Sequence, residues 1–92
     1  MTRLGRALAD PIRCRILLTL RRGPAYPSDL AEALTISRSR LSNHLAYLRD
    51  CGLVASVPDG RRQRYELADQ RLGQTITDVR TALLAADTAE SD

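Results

Sequence analysis

Proline and glycine cut most of this chain into short pieces, and each cut has a direction. Asp10-Pro11 is a helix N-cap followed by proline at the first helical position. Gly23-Pro24 stops that helix, and Pro27 opens another. Ser37 is a good N-cap for a further helix, and Gly52 suits the position just past its end. Asp59-Gly60 is a strong hairpin turn signal. The expected elements are helices over 2–9, 11–22, 27–34 and 38–51, strands over 53–57 and 63–67, and a last helix over 69–87 that Asp69 can cap.

Apolar spacing supports each helix. Leu4, Ala7 and Leu8 form one stripe, and Ile12, Ile16, Leu17 and Leu20 another. Cys14 and Leu18 point the other way from that second stripe, which predicts a helix packed on two sides. Leu30, Ala33 and Leu34 should face inward from the third helix, and Leu41, Leu45 and Leu48 from the fourth. Leu72, Ile76, Val79 and Leu83 make a heptad-like seam on the last.

At 92 residues this is a single domain over 1–92, and it has no Phe, no Trp and only three Tyr. Its core must be aliphatic, and a partner subunit would help complete it. No apolar run approaches the ~18–20 residues that span a bilayer. No export signal stands out, and two cysteines are too few for a disulfide framework, so the expected compartment is a reducing cytoplasm. A single histidine, His44, leaves little for a His-based site; no carboxylate pair, phosphate loop or Cys/His pair has catalytic spacing, so an enzyme is not expected.

The formal net charge of +3 hides an uneven distribution, and all fourteen basic residues are arginine. Residues 38–64 carry Arg38, Arg40, Arg49, Arg61, Arg62 and Arg64 against Asp50 and Asp59. Residues 65–92 carry Arg71 and Arg80 against Glu66, Asp69, Asp78, Asp87, Glu90 and Asp92. The chain is therefore basic in its middle and acidic at its end.

Short helices, the third and fourth joined by a tight turn, followed by a basic hairpin, make a mainly α winged helix-turn-helix. Residues 38–51 would be the recognition helix, 53–67 the wing and 69–87 a dimerisation helix. A recognition helix sets its N-terminal residues against base edges in the major groove. Here those are Arg38, Ser39, Arg40, Ser42 and Asn43, a set suited to guanine, adenine and phosphate. Arg61, Arg62 and Arg64 on the wing would reach the backbone or minor groove. Leu4 and Leu8 with Leu72, Ile76, Val79 and Leu83 would form the interface of a homodimer, whose two-fold symmetry calls for a double-stranded operator with an inverted repeat. A protein-docking module built on the hairpin and the acidic last helix is the alternative from another class.

The runs Ala7-Leu-Ala-Asp-Pro-Ile-Arg-Cys-Arg-Ile-Leu17 and Leu41-Ser-Asn-His-Leu-Ala-Tyr-Leu-Arg-Asp-Cys-Gly-Leu-Val54, with Gly60-Arg61 and Tyr65-Glu-Leu67, resemble the ArsR/SmtB family of bacterial repressors, and most of all its cadmium- and lead-sensing mycobacterial members. The resemblance covers nearly the whole chain. It implies a dimeric repressor released from DNA by an inducer, usually a metal ion. One family site uses a Cys-x-Cys pair where this chain has Tyr26 and Ser28. A second uses Asp and His on the last helix; Asp69 matches, but Arg71, Ala82 and Ala85 replace the rest. The cadmium- and lead-sensing site pairs two cysteines on the recognition helix with one from the tail; Cys51 matches one, Tyr47 stands at the other, and the tail offers Asp87, Glu90 and Asp92.

Cys51 therefore keeps three readings: a ligand for a soft divalent metal (cadmium, lead or zinc), a redox-reactive thiol, or a small apolar filler below the hairpin. A repressor without a metal site, answering to thiol oxidation or to nothing, follows from the second and third. Cys14 reads as core and His44 as structural, and Tyr65 should pack the wing onto the body.

Overall fold

The computed structural model describes residues 3–90, with side chains through residue 86. Five helices and one hairpin follow in order: α1 (Arg3–Ala9), α2 (Pro11–Arg22), α3 (Pro27–Leu34), α4 (Arg38–Asp50), β1 (Val54–Asp59), β2 (Arg62–Leu67) and α5 (Leu72–Glu90). The fold is a winged helix-turn-helix. The tail carboxylates Asp87, Glu90 and Asp92 lie outside the described side chains.

Local chemistry sets the helix borders. Asp10 Oδ1 accepts hydrogen bonds from the backbone N–H groups of Ile12 (2.9 Å) and Arg13 (3.1 Å), so α2 starts with two of its orphan donors satisfied. Ser37 Oγ accepts from the Arg40 N–H at 3.1 Å and caps α4. At the other end of α4 the Leu53 N–H bonds to the Leu48 carbonyl and the Gly52 N–H to the Arg49 carbonyl, both at 2.9 Å. That pair of bonds is a Schellman motif, and Gly52 (φ 76°) supplies the left-handed residue it needs. Between α3 and α4 the turn runs through Thr35, which is itself left-handed (φ 56°). Its N–H bonds to the Glu32 carbonyl and that of Ile36 to the Ala31 carbonyl.

Helix α2 is the hub. It packs against α1, α3, α4, β2 and α5, which is why its apolar residues occupy two faces. Ile16, Leu17 and Leu20 are buried, while Ile12, Cys14 and Leu18 are half-buried against the same core. The core is aliphatic throughout, with Ile16, Leu17, Leu41, Leu48 and Ile76 fully enclosed. Truncating any of these to Ala costs about 2–5 kcal/mol. On α3 Leu30 and Leu34 are buried as expected, but the alanine that joins them is Ala31, while Ala33 is exposed.

β1 and β2 pair antiparallel from Val54↔Leu67 to Asp59↔Arg62. The turn residues are thus Gly60 and Arg61, one step beyond the expected Asp59-Gly60. Only Gly60 has a positive φ (63°), the pattern of a type II′ hairpin. Tyr65 turns its backbone away from β1 and exchanges hydrogen bonds with Ala25 in the α2–α3 linker, at 2.9 and 2.8 Å. The wing is thereby stitched to the body by main chain, and the half-buried Tyr65 ring packs on the core, as expected.

The last helix begins at Leu72, not at 69, and runs to Glu90. The Asp69 carboxylate is taken by Arg71, through its backbone N–H and its guanidinium, so Asp69 builds a turn ahead of the helix. The Arg71 side chain and N–H hold that carboxyl below its ordinary pKa.

Candidate nucleic-acid interface

The cap at Ser37 and the apolar spacing of Leu41, Leu45 and Leu48 fix which side of α4 faces inward. All five expected base-reading residues, Arg38, Ser39, Arg40, Ser42 and Asn43, are exposed on the rest of its surface. Arg38 also joins the wing. Together with Tyr26, Pro27, Ser28, Arg61, Arg62 and Gln63 it lines a cleft of about 430 Å³ between the start of α3, the start of α4 and the tip of the hairpin. Three arginines from two separate segments thus share one opening. The single ion pair among the described residues is Arg71–Asp69, away from this surface. None of the arginines lining the cleft forms an ion pair among the described residues.

The three wing arginines differ in their freedom. Arg61 is exposed at the turn. Arg62 lies over the Tyr26 ring, 3.6 Å from its centre, and donates to Ser28 Oγ at 3.3 Å. Tyr26 in turn donates its hydroxyl to Asp59 Oδ2 at 2.5 Å, and that bond raises its pKa above the usual phenol value. Arg64 is half-buried, with Nε enclosed. The wing tip is therefore latched to the first turn of α3, with Arg61 as its free end. Tyr26 and Asp59 were not expected here. The available signal was an aromatic residue at the N-cap of α3, a position where its side chain caps nothing.

A second cation–π contact ties α2 to α4. The Arg13 guanidinium sits 4.0 Å from the centre of the Tyr47 ring. At the foot of α2, burial acts to raise the Asp10 carboxyl, but the N–H groups of Arg13 and Ile12, with the charges of His44 and Arg13, outweigh it and lower the pKa. His44 thus faces Asp10 from α4, consistent with a structural role.

The residues assigned to a dimer interface divide into two groups. Leu4 (7% exposed), Leu8 (5%) and Ile76 (0%) are enclosed within the protomer, because α1 folds across α5. In the protomer they belong to the chain's own core. Leu72, Val79 and Leu83 are half-buried, and the same helix exposes Leu84.

Cys51 is half-buried at the C-cap of α4, and both cysteines are free thiols. Among the described residues no three His, Cys, Asp or Glu side chains come together in a way that could hold a metal ion. One turn before Cys51, Tyr47 is engaged by Arg13. The described side chains do not fit a metal centre by themselves. No helix among them is long and apolar enough to cross a membrane.

Residues 10–56 match the family described as "Bacterial regulatory protein, arsR family". The chain is 51% identical over 88 residues to the HTH-type transcriptional regulator CmtR of Mycobacterium tuberculosis, covering 96% of this chain and 75% of that one. This chain belongs to the ArsR family. Two solved structures extend the ArsR likeness to three dimensions. The NMR structure of the cadmium metal-sensor CMTR from Mycobacterium tuberculosis is 54% identical, with a TM-score of 0.70 over 83% of this chain and 79% of that one. The homodimeric winged helix-turn-helix DNA-binding domain of a possible ArsR-family regulator from Mycobacterium bovis is 29% identical, with a TM-score of 0.79 over 98% and 82%. The family and these relatives are transcriptional regulators.

Proposed function

We propose that this ArsR-family chain is a transcriptional repressor that binds a double-stranded operator as a homodimer. The exposed face of α4 reads bases in the major groove through Arg38, Ser39, Arg40, Ser42 and Asn43. Arg61, with the latched Arg62 behind it, holds the flanking backbone. The observation that supports this reading is the cleft that Arg38, Arg61 and Arg62 share between the start of α4 and the wing tip, none of them in an ion pair among the described residues. Half-buried Leu72, Val79 and Leu83 and exposed Leu84 on α5 are the apolar surface left for a second copy, and a two-fold dimer requires an inverted-repeat site. The test is an electrophoretic shift with DNA upstream of the chain's own gene. Salt-sensitive binding, protecting two half-sites about 34 Å apart, is expected. Absence of binding to any such fragment at low salt overturns the reading.

A soft metal (cadmium, lead or zinc) as the inducer is supported by the likeness to a cadmium sensor and by the thiol of Cys51. It would need donors beyond the described side chains. Titrating the DNA complex with these ions and with a peroxide, in the wild type and Cys51→Ser, separates the readings. A metal-driven release lost in Cys51→Ser supports ligation, and a peroxide-driven release lost in the same variant supports a redox thiol. Release that survives the substitution removes Cys51 from both.

A further inference from the structure

A second group of arginines lies apart from α3, α4 and the wing. Arg15, Arg21 and Arg22 on α2 and Arg80 on α5 line a cleft of about 360 Å³, together with Leu18 and Thr19. No carboxylate lines it, and no ion pair among the described residues involves any of the four arginines. Four positive charges around one cleft repel one another unless an anion lies between them.

One of the four is held in place. Arg21 donates through Nη1 to Thr77 Oγ1 on α5. The Thr77 hydroxyl spends its own proton on the Gly73 carbonyl at 3.2 Å, which leaves its lone pairs for the guanidinium. The Arg21 stem runs across Gly73, where a Cβ would come within 3.2 Å of Arg21 Cγ and 3.8 Å of Cδ. Gly73 leaves room for the Arg21 stem to lie against the first turn of α5. Arg21 is left with further N–H donors, and no side-chain hydrogen bond among the described residues uses those of Arg15, Arg22 or Arg80.

We propose that this cleft binds a small, multiply charged oxyanion: inorganic phosphate, or the phosphate head of a small monoester. Guanidinium forks match the paired oxygens of such a group, and several can share its charge. The volume lies in the range of small-ligand sites and exceeds what a bare ion fills, so Leu18 and Thr19 can border the remainder of an ester. The site joins α2, the hub of the fold, to α5. It is independent of the DNA-reading surface.

The test is titration calorimetry of the whole chain with inorganic phosphate and with glycerol 3-phosphate, at ionic strength held constant with chloride. Saturable binding of one anion per chain is expected, weakened about tenfold in Arg80→Gln and unchanged in Arg61→Ala. Tighter binding of glycerol 3-phosphate supports an ester as ligand, and equal binding supports the free ion. Should Arg80→Gln fail to fold, Arg15→Gln at an exposed position takes its place with the same expectation. Isotherms that never saturate, or that survive Arg80→Gln or its replacement, overturn the proposal. So does binding abolished by Arg61→Ala, which would place the anion on the DNA-reading surface.

Discussion

The Arg13 guanidinium stacks 4.0 Å from the centre of the Tyr47 ring and ties α2 to α4 one turn beyond Asn43. Its buried leucines and its packing on α3 and β1 set the angle of α4 against the body, and this contact adds to them. A double-mutant cycle of Arg13→Ala and Tyr47→Ala, read by urea denaturation, should give a coupling of about 1 kcal/mol. Additive effects of the two substitutions would show that the stack contributes only burial.

Arg40 and Asn43 should set sequence preference, and Arg61 general affinity. Arg40→Ala or Asn43→Ala should cost about 1–3 kcal/mol on the best site and flatten discrimination there. Arg61→Ala should weaken binding to all sequences alike and reduce the salt slope by about one. Competition binding on a randomised duplex pool, at two salt concentrations, distinguishes the two classes.

The latch of Tyr26, Arg62 and Asp59 makes a graded prediction. Tyr26→Phe keeps the ring under Arg62 and loses only the bond to Asp59, whereas Tyr26→Ala frees the whole wing tip. Operator affinity should fall about two- to fivefold in Tyr26→Ala and less in Tyr26→Phe, with base preference unchanged in both. A change of preferred sequence in Tyr26→Ala would mean that the latch positions α4 as well as the wing.

Thr35 holds a left-handed conformation that costs a β-branched residue about 1–2 kcal/mol. Thr35→Gly should raise stability by about 1 kcal/mol in thermal or urea unfolding, with the fold unchanged. A loss of stability would mean that the threonine side chain makes up for the strain.

The Asp10 cap should be visible in acid. Its carboxyl titrates below the ordinary value, because two backbone N–H groups hold the charged form against the opposing effect of burial. Its charge therefore adds stability in full above the unfolded value of about 3.9, and that share is lost as pH falls through the lowered folded value. Asp10→Asn keeps a capping oxygen without the charge, so the gap between wild type and variant should be largest near neutral pH and shrink toward pH ~2–3. Asp10→Ala should lose about 1 kcal/mol at neutral pH.

What could be read from the sequence was whatever neighbouring residues decide. Asp10-Pro11, Pro27, Ser37 and Gly52 act within one turn of themselves, and α2, α3 and α4 begin and end where these residues put them. The exposure of Arg38, Ser39, Arg40, Ser42 and Asn43 followed, because Leu41, Leu45 and Leu48 leave only one way to face α4. One miss was local: Asp69 looked like a cap, but Arg71, two residues on, claimed its carboxylate. The others needed a neighbour in space. Ala33 and Ala31 both fit an eight-residue helix, and only the packing chooses between them. Tyr26 and Asp59, 33 positions apart, meet only once the wing has folded back. Ile76 has the spacing of an interface seam, but α1 covers it.

The two hydrogen bonds between Ala25 and Tyr65 close a loop of about forty residues that contains α3, α4 and β1. Closing so long a loop brings little reward until the segments within it are already compact. The helices, whose contacts are local, should therefore form early, and the pairing of β2 with Ala25 should come late. The wing's attachment is on this view a measure of kinetic order as much as of shape: amide protons at Ala25 and Tyr65 should gain protection after those of α2 and α4 during refolding.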